Sequence, residues 1–89
     1  MAKHIIVRGL VQGVFFRKYT QQKAYELNIT GWVRNTDDDR VEIFAQGEEN
    51  NLEKFIEWCK EGPPKAEVEN IEIQDEDNDD RLKRFSVVY

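Results

Sequence analysis

A single cysteine, Cys59, leaves no partner for an internal disulfide, and a single histidine, His4, leaves no His/Cys cluster at metal-ligand spacing. Cys59 falls at an apolar position of a helical pattern, which reads as a buried structural thiol rather than a nucleophile. No apolar run approaches the ~20 residues of a membrane span. Met1-Ala2-Lys3-His4 leads straight into strand-like sequence rather than a signal peptide, so the expected location is the cytoplasm and no membrane partner is expected. Basic residues are outnumbered, 13 Lys and Arg against 18 Asp and Glu, for a net charge of −5. The basic footprint of a non-specific nucleic-acid binder is missing, and no nucleic-acid partner is expected.

What is present suits a folded domain: 39% hydrophobic and 35% charged residues in an 89-residue chain. That length makes one domain over residues 1–89, whose core must come from a few strands and helices.

Ile5-Ile6-Val7 predicts a first strand over about residues 4 to 9, followed by a loop to residue 16. Phe16, Thr20, Ala24 and Leu27 recur at helical spacing in a stretch without Gly or Pro, and Asn28 supplies a left-handed stop. Thr30–Asn35 and Val41–Gln46 read as strands joined by the turn Thr36-Asp37-Asp38-Asp39-Arg40. Leu52, Phe55, Ile56 and Cys59 line one face of a second helix that Gly62-Pro63-Pro64 ends. A fourth strand lies within Ala66–Ile73, where Val68 and Ile71 are an odd number apart, so an irregularity is expected. Phe85, Val87 and Tyr89 alternate as a short closing strand. The order is β-α-β-β-α-β plus one strand, an α+β ferredoxin-like sandwich with two helices on one face of a mainly antiparallel sheet.

The segment Gly9-Leu10-Val11-Gln12-Gly13-Val14-Phe15-Phe16-Arg17 leaves a strand, enters a helix and ends on a guanidinium. Glycines let successive N–H groups point into one concavity, and a helix start adds its dipole, so this is an anion-binding pattern. The topology makes strands 1 and 2 point the same way with strand 3 between them, about 10 Å apart. Arg17 and Asn35 therefore share one edge of the sheet.

The nucleophiles are missing there: no Cys or Ser follows a glycine, no Gly-Lys-Ser/Thr occurs, and His4 sits at the far end of strand 1 as a strand-edge residue. A backbone cradle, an arginine and an amide can bind phosphate and hold a water, but they offer no strong acid or base. Acyl phosphates fit such a site, because a departing carboxylate has a conjugate-acid pKa near ~4 and needs no proton to leave.

Over essentially its whole length the chain resembles the acylphosphatases. Val11-Gln12-Gly13-Val14-Phe15-Phe16-Arg17 matches the family's first signature and Gly31-Trp32-Val33-Arg34-Asn35 its second, with Gly47 and Gly62-Pro63 followed by Ala66 also in pattern. The resemblance implies an acyl phosphate hydrolase without metal or cofactor, expected to be a monomer. It implies that Arg17 and backbone N–H groups of Val11, Gln12, Gly13, Val14, Phe15 and Phe16 bind the phosphate, and that Asn35 orients the attacking water. Phe15 and Phe16 are then expected to pack the loop. Asn28 and Asp39 replace family glycines, and both residue types enter left-handed backbone readily. Leu10 stands where a basic residue is common.

Competing readings are a ferredoxin-like binding module for a small anion or RNA, with Phe44 as one exposed aromatic, and a domain serving carbamoyl transfer within a larger maturation enzyme. Arg34 and Trp32 fall on the face of strand 2 opposite Asn35, Arg34 solvated or paired with an acid across the sheet and Trp32 partly buried. Asp75, Asp77 and Asp79 have calcium-loop spacing, yet Asp80 stands where glycine is required and Ser86 where glutamate is required, so Asp75–Asp80 is expected to be a mobile solvated turn.

Overall fold

Alternating apolar side chains build one buried sheet face. Ile5 and Val7 lie opposite Ile43 and Val41, and Val33 lies opposite Ile43 from the other side. The computed structural model describes residues 1–89. Its elements are β1 (Ala2–Leu10), α1 (Phe16–Glu26), β2 (Thr30–Asn35), β3 (Val41–Gln46), α2 (Glu49–Glu61), β4 (Glu67–Glu76) and β5 (Phe85–Val88).

The strand order is β4-β1-β3-β2-β5. All pairings are antiparallel except β2 with β5. Because β1 and β2 both run against β3, they are parallel to each other, and their C-terminal ends open on the edge where α1 begins.

Both helices cover the apolar face. Phe16 and Ala24 from α1, and Leu52, Phe55 and Cys59 from α2, are fully or almost fully buried against it. The Phe55 ring meets Phe85 at 5.9 Å and Phe16 meets Trp58 at 5.7 Å, contacts that add to the roughly 1.5–3 kcal/mol of burying each ring. Gln21 fastens α1 to the sheet, its Nε2 donating to the Phe85 carbonyl of β5 at 3.0 Å, while the buried Thr20 Oγ1 is satisfied within the helix by donating to the Phe16 carbonyl at 2.7 Å.

The expected irregularity in β4 is real. Arg8 pairs with Asn70 and Gly9 with Val68, so Glu69 is the extra residue that lets Val68 and Ile71 face the helices together. Gly9 sits opposite this bulge at φ +129, and a Cβ there would lie 2.1 Å from the Glu67 carbonyl oxygen. Only glycine fits. Asn28 and Asp39 take left-handed backbone, at φ 55 and 67, as their residue types suggest.

Some boundaries differ. β1 starts at Ala2 and runs to Leu10, and Phe16 is the first residue of α1 rather than the last of the loop. His4 is no strand-edge residue: it lies inside β1, between β3 and β4. Its Nε2 is 2.6 Å from Glu42 Oε2, and Arg34 Nε donates to Glu42 Oε1 at 2.5 Å, so Arg34 has the cross-sheet acid expected of it. Burial alone would raise the Glu42 carboxyl, but the bonds with His4 and Arg34 outweigh it and hold the group below its usual range. Beside this cluster Trp32 stacks on Phe44, with both rings half-buried.

The acidic run is only partly a turn. Asp75 and Glu76 belong to β4, where Lys3 pairs with Asp75. Asp79 is anchored, its N–H donating to Gln46 Oε1 at 2.7 Å and its carbonyl accepting from Gln46 Nε2 at 2.9 Å. Its carboxylate takes Arg81, which holds it below the ordinary range.

Candidate active site

A cavity of about 240 Å³ opens at the edge shared by the C-terminal ends of β1, β2 and β5. Val11, Gly13, Phe15, Phe16, Arg17 and Asn35 line it, joined by Lys18, Gln21, Val87 and Tyr89. Arg17 and Asn35, 18 positions apart in sequence, thus meet at one concavity because β1, which leads into α1, and β2 run the same way and end at the same edge.

The loop itself makes the anion end. Gly13 takes φ 75, and Phe15, the residue capping α1, takes φ 61 with no side-chain hydrogen bond to the helix start. The N–H groups of the first turn have no side-chain cap, and no acidic residue in that turn neutralises the positive end of the helix dipole. Left-handed backbone is rare for a bulky residue such as Phe15 and costs of order 1–3 kcal/mol. It turns the ring outward, leaving it 67% exposed, whereas Phe16 is buried. Phe16 packs the loop as expected; Phe15 does not.

Arg17 is held in place without being saturated. Its Nη1 donates to the Val88 carbonyl at 3.2 Å, and its guanidinium lies over the Tyr89 ring at 4.6 Å. A guanidinium carries five N–H donors, so most remain for phosphate oxygens. Lys18 adds a second cation to the rim.

Gln12 and Val14 do not line this cavity. The Gln12 amide instead donates to the carbonyls of Thr36 and Arg40, at 2.9 and 2.7 Å. Those bonds tie the loop to the turn directly after Asn35. Thr36 closes the turn from within, its Oγ1 accepting from the Arg40 N–H at 3.0 Å. Arg40 also pairs with Asp38, whose carboxyl is lowered to about 2 by the Arg40 and Thr36 hydrogen bonds.

Sequence reasoning did not foresee Lys18, Gln21, Val87 and Tyr89 at the site. Gln21 carried a usable signal, being four residues after Arg17 on the helix, whereas Lys18, at the next position, falls on a different side of the helix by that spacing. Val87 and Tyr89 carried none, since their place depends on β5 pairing with β2. Cys59 is far from all this in the core, where burial pushes its thiol up.

A sheet edge offering a helix N-terminus, a guanidinium and an amide, on an α+β sandwich, defines a small phosphate-handling protein. The chain belongs to the acylphosphatase family, whose sequence profile matches residues 3–87. It is 53% identical over 72 residues to an acylphosphatase of Marinobacter nauticus, covering 81% of this chain and 78% of that protein. The crystal structure of an acylphosphatase from Bacillus subtilis superposes with a TM-score of 0.93 at 44% identity, each chain covered in full. HypF of T. kodakarensis matches at TM-score 0.86 and 34% identity, covering all of this chain but 12% of the HypF chain. The protein is an acyl phosphate hydrolase.

Proposed function

We propose that Arg17 and the backbone N–H groups of the Val11–Phe16 loop hold the substrate's phosphate while the Asn35 amide orients the attacking water. The observation that carries this reading is the convergence of Arg17, Gly13, Phe15 and Asn35 on one cavity. The water oxygen forms its bond to phosphorus as the bond from phosphorus to the acyl oxygen breaks. The acyl oxygen leaves with the electron pair as a carboxylate, and the water's proton passes to a phosphate oxygen. No protein acid or base is required, which accords with a cavity wall lined by no carboxylate side chain, imidazole or thiol. Catalysis then comes from positioning and from stabilising charge on the phosphate oxygens.

We likewise propose that the enzyme is metal-independent, monomeric and cytoplasmic, with no nucleic-acid partner. Arg17→Ala and Asn35→Ala should each lower kcat for benzoyl phosphate by about 10² or more, with the wild type fully active in EDTA and the circular dichroism spectra unchanged. Full activity in Asn35→Ala would refute the water-orienting role, and loss of wild-type activity in EDTA would refute metal independence.

A further inference from the structure

Beside the phosphate loop, on the side away from Asn35, lies a second cavity of about 180 Å³ lined by Val14, Phe15, Tyr19, Pro64 and Lys65. Phe15 borders both cavities. The geometry points to this groove as the subsite for the acyl group, selecting acyl phosphates whose acyl part is an aromatic ring or a similarly bulky apolar group. The inference rests on the phosphate and water roles proposed above.

Three observations support it. Asn35 ends β2, whereas Pro64 and Lys65 lead into β4, and these strands stand on opposite sides of β1 and its loop. In phosphoryl transfer the attacking and leaving oxygens are roughly in line through phosphorus. A water on the Asn35 side therefore sends the acyl oxygen toward Phe15 and the groove. The second observation is size, since an apolar cavity of about 150 Å³ accepts benzene, so this one has room for a single ring. The third is exposure: Phe15 and Tyr19 are 67% and 41% exposed, apolar rings that the core does not use. A bound ring would cover both. Lys65 stands at the rim as the groove's one charged side chain.

The test is the ratio of kcat/KM for benzoyl phosphate to that for acetyl phosphate, in which intrinsic reactivity cancels when variants are compared with wild type. Tyr19→Ala changes an exposed helix position and should fold. It should lower the ratio about tenfold, chiefly through KM for benzoyl phosphate. Phe15→Ala should lower it in the same sense. A ratio within twofold of wild type in Tyr19→Ala overturns the groove assignment. Asn35→Ala separates the two levels: if it keeps the wild-type rate on acetyl phosphate, the underlying site assignment fails, whereas an inactive Asn35→Ala together with an unchanged Tyr19→Ala ratio condemns the groove alone.

Discussion

Gln12→Ala tests how the loop and the Asn35 strand are kept in register. The Gln12 amide spans from the β1–α1 loop to the β2–β3 turn, giving one N–H to Thr36 and one to Arg40. The Arg40 carbonyl would still accept from the Thr36 N–H at 2.9 Å. The larger penalty therefore falls on the Thr36 carbonyl, and water reaches this half-buried site. At ~1 kcal/mol per net bond, reduced for that compensation, the loss is about 1.5 kcal/mol. For a domain of this size it corresponds to roughly 6 to 12 °C in melting temperature. The catalytic effect should be larger than that stability loss suggests, because the bridge fixes the distance between the phosphate cradle and Asn35. A displacement of about 1 Å can cost as much as 10² in rate, so kcat for benzoyl phosphate should fall at least tenfold. Thermal melts and steady-state kinetics on the same preparations measure both. A Gln12→Ala protein with wild-type melting temperature and wild-type kcat would show that the bridge holds nothing together.

Phe55→Ala removes a fully buried ring from between α2 and β5 and should cost about 3–5 kcal/mol, read as a lower urea midpoint; a loss below 1 kcal/mol would contradict the packing described. Glu42 has a folded pKa below its ordinary 4.5, so its stabilising effect is complete above that value and is lost as pH falls through the folded one. Between pH 5 and 3 the wild type should therefore lose more stability than Glu42→Gln, and parallel urea-unfolding curves across that range would refute the cluster with His4 and Arg34.

Much of the fold was legible because its signals are local. The alternation of Val41, Ile43 and Ala45, the helical spacing of Leu52, Phe55 and Cys59, and the odd interval from Val68 to Ile71 each report a face directly. Boundaries shifted where tertiary pairing overrode local composition. Asp75 and Glu76 look like loop residues, yet β4 carries them because β1 supplies a partner as far as Ala2. His4 looked marginal for the same reason, its strand being longer at the front than the β-branched run suggests.

At the site, the sequence by itself determined the chemistry: a glycine-bearing loop before a helix, an arginine at the helix start, and an amide ending a parallel strand, with no nucleophile nearby. These follow from residue types and from the handedness and direction rules that relate β1 to β2. Tertiary structure alone decided the rest. The Gln12 side chain, about which the loop pattern says nothing, donates to two carbonyls of the turn beyond Asn35. Phe15 was expected to pack, but the left-handed backbone at the helix start turns its ring into solvent between two cavities. Val87 and Tyr89 reach the site only through the parallel pairing of β5 with β2. Such outcomes depend on which groups remain unpaired once the chain has closed, and no local pattern encodes that.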